Sequence, residues 1–238
     1  GGKSRQVRCS PPIVVCGEGT EGSNRGHAFE GKAPNRHNRF FCEIEALSDE
    51  VVAALRNGDL GDGPVRSSDA KEKGNMFGEL GMNKDLMRKI YAINGTNVLV
   101  NDTKGIQGLH ETRELIIEAF NAVCVKGPIA DEPVQGMFVR LVDAKLHEDA
   151  IHRGPAQTIP AVRNGIKGAM LRARTVLLEP MQKAFVSVPN DWLGQVTREV
   201  TNRRGIIEDM PSEGEVTTVV GVLPIAETFG FSNDIRAA

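Results

Sequence analysis

Residues 183–224 read KAFVSVPNDWLGQVTREVTNRRGIIEDMPSEGEVTTVVGVLP, and this stretch decides the fold of the C-terminal part of the chain. Short apolar runs alternate in it with one amphipathic segment, which Asp191 caps at its N-terminal end. The predicted elements are, in order, a strand (183–188), a helix (191–203), two strands (205–210 and 216–224) and a second helix from residue 226. This β-α-β-β-α order is one strand short of the split βαβ pattern. The chain ends where the fourth strand of this pattern should begin, so we expect a fragment.

The residues upstream predict a second, larger unit. Residues 175–180 mark the boundary, because a self-contained pattern restarts after them. Alternation predicts strands at 7–16, 40–47 and 134–146, and a pair of strands at 89–102 that the turn Asn94-Gly95 separates. Apolar residues at helical spacing predict helices at 48–57, 111–126 and 160–173, whereas residues 57–74 are polar and predict a surface loop. We expect the first two strands to pair as a hairpin with a long tip. The chain is thus predicted to be an α+β protein of two domains, residues 1–175 and 176–238.

The composition excludes several classes of protein. Of the 238 residues, 40% are hydrophobic and 25% charged, which is typical of a globular protein. Twenty-nine basic residues against 31 acidic ones give a formal charge of −2, so any nucleic-acid site must be local. Residues 24–39 hold four basic residues and one acidic residue, whereas residues 43–72 hold eight acidic and three basic ones. Since no apolar run reaches the ~20 residues of a membrane span, we expect a cytoplasmic protein without a membrane partner.

The cysteines and histidines offer no standard metal motif. Four cysteines lie far apart without a C-x-x-C pair, so we expect reduced thiols. His147 and His152 are spaced i, i+5 rather than i, i+4, and at ~100° per residue their rings would diverge by about 140° on a helix. Gly2-Lys3-Ser4 lacks the strand and the first glycine of a phosphate-binding loop. No metal, ATPase or GTPase site is therefore predicted in this chain.

Two polar segments rich in Arg and His are predicted to be loops. Residues 33–39 form the end of a hairpin, and residues 147–157 form a turn between a strand and a helix. Arginine and histidine on such segments can pair with phosphates and stack on exposed bases. We expect the two segments to lie side by side, as one cationic finger.

Three stretches resemble a single known family. They are residues 32–40 (KAPNRHNRF), residues 143–154 (DAKLHEDAIHRG) and residues 225–232 (IAETFGFS). All three resemble the translation elongation factor 2 family of archaea and eukaryotes, and the resemblance spans essentially the whole chain. Gly154-Pro155-Ala156-Gln157 favours the archaeal branch, because eukaryotic members usually show a glycine run there. Residues 16–29 depart from the family's usual continuation.

The resemblance implies a fold for each part of the chain. Residues 1–175 would be the family's fourth domain, with the fold of the second domain of ribosomal protein S5. Residues 176–238 would be its fifth, ferredoxin-like domain without the last strand. Because that strand normally pairs beside the first strand of the domain, residues 183–188 would be left as an unprotected edge. The GTP-binding domain, with its GTP and Mg, would lie upstream, so this fragment would hold no active site and no cofactor.

The resemblance also implies partners and site residues. The fourth domain would enter the decoding centre of the small ribosomal subunit, against rRNA, mRNA and tRNA, during GTP-dependent translocation. His152 would be converted to diphthamide by the family's modifying enzymes. The residues expected to contact RNA are Asn35, Arg36, His37, Asn38, Arg39, Asp149, Arg153 and Gly154.

Two other functions stay open at this point. One is a stand-alone hydrolase or metalloenzyme that uses His147, Asp149 and His152, which would require both imidazoles to converge in one pocket. The other is a non-catalytic ribosome-interaction module that shares the fold but is no substrate for diphthamide synthesis.

Overall fold

The computed structural model describes residues 6–14, 17–20 and 28–237. The strands are β1 (Gln6–Val14), β2 (Gly17–Thr20), β3 (Phe29–Lys32), β4 (Arg39–Ala46), β5 (Gly63–Pro64), β6 (Ile90–Asn94), β7 (Asn97–Asn101), β8 (Met137–Lys145), β9 (Thr175–Leu178), β10 (Met181–Pro189), β11 (Ile206–Asp209), β12 (Ser212–Glu213) and β13 (Val216–Pro224). The helices are α1 (Asp49–Asn57), α2 (Ala70–Glu79), α3 (Lys84–Met87), α4 (Arg113–Val125), α5 (Pro155–Arg172), α6 (Leu193–Asn202) and α7 (Phe231–Ala237). None of these helices has the length and apolar character needed to cross a membrane. The α+β class predicted from the sequence is confirmed.

The larger unit, Gly17–Leu177, is built on a six-stranded sheet with helices on both faces. The strand order is β3-β4-β8-β7-β6-β5, and all neighbours are antiparallel except β7 and β8. Leu99 packs with α4 and α5, whereas Val98 and Val100 pack with α1 and α2, so alternate residues of β7 point to opposite faces of the sheet. This arrangement fits the fold of the second domain of ribosomal protein S5, as expected.

A close approach of β3 to α5 fixes the end of the sheet at which both predicted loops emerge. Gly31 in β3 is buried, and a Cβ there would overlap the Ala161 carbonyl oxygen and the Gly165 backbone of α5. Only glycine lets the strand and the helix come so near. The turn after β3 and the connection before α5 are therefore held next to each other.

The smaller unit consists of Gly1–Cys16 together with Leu178–Ala238. Its antiparallel sheet has the order β1-β10-β13-β11, and β12 pairs with β13. Buried valines of β10, β13 and α6 form its core together with Phe231 and Ile235 of α7. The predicted order of strand, helix, two strands and helix is present, as a ferredoxin-like domain requires.

The first strand overturns two expectations. β1 does not pair with β4 as a hairpin; it pairs antiparallel with β10, with Gln6 opposite Ser187. The strand β10 is therefore not an unprotected edge, because β1 occupies the place expected for the missing last strand. Its register shifts on both sides of Pro12, which lacks the N–H that a regular ladder needs. Pairing between neighbours in sequence was the wrong assumption, since β4 already has β3 and β8 on its two sides.

Three cysteines lie within the described residues, and all three are free thiols. Cys9 is exposed, whereas Cys42 and Cys124 are buried in the larger unit. Burial raises the pKa of the Cys42 thiol to about 12 and also raises that of Cys124. The two buried thiols are thus core side chains held in the protonated form at neutral pH.

Candidate functional site

The turn between β3 and β4, residues 33–38, forms one half of the candidate site. The Ala33 amide donates to the Asn38 carbonyl (2.9 Å), and the Arg36 amide donates to the Ala33 carbonyl (2.8 Å). Arg36 has a φ of 62°, which lets the chain reverse within these few residues, and its side chain is exposed. Asn38 is completely buried.

The connection between β8 and α5, residues 146–154, forms the other half. The Asp149 carboxylate accepts from the Ile151 amide (3.0 Å) and so caps a short 3-10 helix, Ala150–Arg153. Gly154 then precedes α5, and Pro155 occupies the first position of that helix, where its missing N–H costs nothing. The turn and this connection together are called the tip below.

Two asparagines join the halves of the tip through the backbone of His152. Asn38 Nδ2 donates to the His152 carbonyl at 2.6 Å, and Asn35 Nδ2 donates to the same oxygen at 3.2 Å. Asn38 Oδ1 accepts from the His147 amide at 3.0 Å, so one buried carboxamide bridges two points of the connection. The expected proximity of the two segments is confirmed, although they lie more than 100 residues apart in the chain.

Three imidazoles meet at the tip. The ring centroids of His147 and His152 are 4.4 Å apart, and His37 lies 5.0 Å from the first and 5.2 Å from the second, stacked on His152. The predicted divergence of His147 and His152 is wrong, because the residues between them form a capped turn instead of a continuous helix or strand. Across the described residues, no group of three or more His, Cys, Asp and Glu side chains is arranged to hold a metal ion.

Arg153 occupies a position different from the one expected. Its side chain is only 7% exposed, whereas the resemblance implied that it contacts RNA. Its guanidinium donates to the carbonyls of His147 (2.9 Å) and Glu148 (3.3 Å) and pairs with the Glu111 carboxylate. Arg153 therefore supports the connection from within, because a side chain buried in this way presents no donors to a partner.

The charge of the tip is close to balanced. Residues 33–38 and 146–154 together hold two basic residues, Arg36 and Arg153, and two acidic ones, Glu148 and Asp149. Arg39 pairs with Glu30 at 3.0 Å and Arg153 pairs with Glu111, so two of the expected cationic contacts are already partnered. Arg36 is exposed, as are Glu148 and Asp149. The strongly cationic finger that we expected is in fact a mixed polar surface with three imidazoles.

Three residues that support the tip were not predicted from the sequence. Gln157 accepts from the Asn35 amide at 2.9 Å, and it stands in the Gly154–Gln157 run already noted. Glu111 lies 42 residues from Arg153, so no local pattern could reveal the pair. Gly108 has a φ of 75° and faces the Arg153 guanidinium so closely that a Cβ would collide with it. In the sequence, Gly108 is marked only by its position ahead of a helix.

Two family models match the chain. Residues 63–174 match the model described as elongation factor G, domain IV, and residues 176–238 match the model described as elongation factor G C-terminus. Together the two matches cover most of the chain.

Curated proteins named elongation factor 2 are similar to almost the whole chain. The one from Thermoplasma volcanium is 48% identical over 236 residues, which is 98% of this chain and 31% of the relative. The one from Methanoregula boonei is 49% identical over 236 residues, 99% of this chain and 32% of the relative. The one from Thermococcus kodakarensis is 44% identical over 232 residues. The chain thus spans about a third of the length of these relatives.

Proposed function

The chain belongs to the elongation factor family that the two matched models describe, and on that premise we propose that it is the ribosome-binding C-terminal part of an archaeal elongation factor 2. Residues 1–175 correspond to the fourth domain and residues 176–238 to the fifth, although β1 pairs with β10 in the sheet of the smaller unit. GTP and Mg are bound by a domain upstream of these residues. The tip enters the decoding centre of the ribosome in the cytoplasm during translocation of tRNA and mRNA.

The observation that carries the proposal is the support of His152. Its backbone carbonyl is held by Asn35 and Asn38, while its imidazole is partly exposed and stacked on His37. A backbone fixed in this way presents the side chain in one orientation, as a modified residue that reaches into a crowded RNA site needs. Ile151 beside it is 79% exposed, so the connection projects towards solvent.

The near-balanced charge gives the modification a physical purpose. Phosphate-rich RNA attracts positive charge, and the tip itself supplies little beyond Arg36. Conversion of His152 to diphthamide extends the side chain and adds a cationic group at this point. The imidazoles of His37 and His147 supply flat surfaces on which unpaired bases can stack.

Mass spectrometry of the peptide that contains His152, taken from the native archaeal cells, tests the site. We expect a mass increase on His152 and none on His37 or His147, which lie within the same cluster. The chain expressed in a host without diphthamide synthesis should carry plain histidine. If His152 is unmodified in native cells, the chain is better described as a ribosome-interaction module that is not a substrate for diphthamide synthesis.

A translocation assay tests the ribosomal role itself. The full-length factor with His37→Ala should translocate tRNA and mRNA more slowly, because a stacking surface of the tip is lost, while GTP hydrolysis by the upstream domain stays intact. Lys126→Ala is the control, since Lys126 is exposed at the far end of α4. If both variants translocate at the normal rate, the tip does not act in the decoding centre. Zinc analysis of the purified chain addresses the metalloenzyme alternative, which predicts a stoichiometric metal.

A further inference from the structure

The larger unit contains a second polar site, which is built from residues outside the tip. A cavity of about 490 Å³ opens between the start of α2, the first residues of β6, the end of β7 and the start of α4. Its lining includes four residues with basic side chains, namely Arg88, Lys89, His110 and Arg113. None of the ten residues that line it is acidic. The charged side chains that line the cavity are therefore all of one sign.

Two helix N-termini add to the positive character of the cavity. Ala70 is the first residue of α2 and Arg113 is the first residue of α4, and both line the cavity. No side chain caps the first turn of either helix. The positive ends of the two helix dipoles therefore reinforce the cationic side chains.

The Arg113 guanidinium is held in place before any ligand arrives. Its Nη2 donates to the Val65 carbonyl, and its Cζ lies over the Tyr91 ring, 4.8 Å from the ring centroid. Its Nε is buried without an acceptor among the described residues. The Tyr91 hydroxyl is in turn fixed by Asn101 Nδ2 at 2.8 Å. An arginine fixed in this way loses little conformational entropy when an anion binds.

The remaining cations can turn to an anion at little cost. Lys89 pairs with Asp102 at 3.0 Å and Arg88 pairs with Asp85 at 3.1 Å, but both basic side chains are 44% exposed. Ion pairs that are open to water contribute little and exchange readily. The imidazole of His110 is exposed and has no hydrogen-bond partner within the described part of the chain.

From these features we propose that the cavity is a binding site for a phosphate group, held by Arg113, Lys89 and His110 at the N-termini of α2 and α4. The volume accommodates a phosphate together with the group that carries it. The phosphate comes either from a free phosphomonoester or from an RNA strand, and the chemistry of recognition is the same in both cases. This site does not depend on the proposed role of the tip, from which it is distinct in residues.

The test is a titration of the ¹⁵N-labelled 238-residue chain with inorganic phosphate at constant ionic strength. We expect chemical-shift changes at the amides of residues 88–91 and 110–113. The double variant Lys89→Gln/His110→Gln should weaken phosphate binding about tenfold or more, since charge-assisted hydrogen bonds are lost. Lys126→Gln removes the same formal charge at the far end of α4 and should change the affinity less than about twofold.

Two further titrations identify the source of the phosphate. A nucleoside 5′-monophosphate that shifts the same amides, while a short RNA without terminal phosphates does not, identifies a phosphomonoester. Shifts with that RNA, lost in the double variant, identify an RNA backbone. The proposal is overturned if phosphate shifts no amide around the cavity beyond an equal chloride control, or if the double variant binds phosphate as well as the wild-type chain.

Discussion

At the scale of single residues, Arg153 supports the tip from within. One guanidinium serves the carbonyls of residues 147 and 148 and the Glu111 carboxylate, all from a nearly buried position. We predict that Arg153→Ala lowers the free energy of unfolding of the larger unit by about 1.5–3 kcal/mol, the range for hydrogen bonds to charged groups. Arg153→Lys should recover only part of this, because an ammonium group cannot reproduce the planar fork. Urea denaturation measures the free energy of unfolding of each variant, and Arg36→Ala, at an exposed position, is the control. Equal stability of all three variants would contradict the role assigned to Arg153.

At Asn38, the contribution of the hydrogen-bond donor can be tested without a change in the size of the side chain. Asn38→Asp keeps the shape but replaces the donor to the His152 carbonyl with an acceptor, so two oxygens would face each other across 2.6 Å. We predict that this change opens the 146–154 connection, with a loss of about 1–3 kcal/mol for the buried unsatisfied group. Hydrogen exchange of the His147 and Ile151 amides should speed up. Asn35→Asp is the matched comparison: its bond to the same carbonyl is longer, 3.2 Å, and its effect should be smaller. An equal or larger effect of Asn35→Asp would refute the assignment.

At the scale of elements, the crossing of β3 and α5 determines where the tip lies. We predict that Gly31→Ala destabilises the larger unit by about 1–3 kcal/mol, the usual cost of overpacking, because its Cβ meets backbone that cannot move aside. Gly165→Ala, on the helix side of the same crossing, is the control. Its Cβ would lie 3.3 Å from Cys42 Sγ, and alanine gains about 1 kcal/mol of helix propensity, so stability should change little. Thermal denaturation of both variants measures the difference. Similar losses of stability in the two variants would mean that the close approach of β3 to α5 does not require glycine at position 31.

Elements with a clear period could be predicted from the sequence, and elements shaped by distant packing could not. The Asn94-Gly95 turn predicted the β6–β7 hairpin, and the helical spacing of apolar residues predicted α4. By contrast, α2 was expected to begin as a polar loop, yet Phe77 is completely buried and secures the helix through tertiary contacts. At the tip, the residue set came from resemblance to a family, while the burial of Arg153 depends on Glu111, which no local pattern connects to it.

At the scale of the whole molecule, the chain crosses its own domain boundary, because β1 completes the sheet of the C-terminal unit. We predict that deletion of residues 1–16 leaves β10 with an open edge, so that its amides facing β1 lose protection from hydrogen exchange. A loss of about 1 kcal/mol would lower the unfolding midpoint of a domain of this size by roughly 4–8 °C. Deletion of residues 1–5 keeps β1 whole and is the control. Unchanged protection of residues 181–189 in the longer deletion would mean that β1 does not stabilise the sheet. Loss confined to that deletion would show that the smaller domain cannot be defined by the C-terminal residues alone.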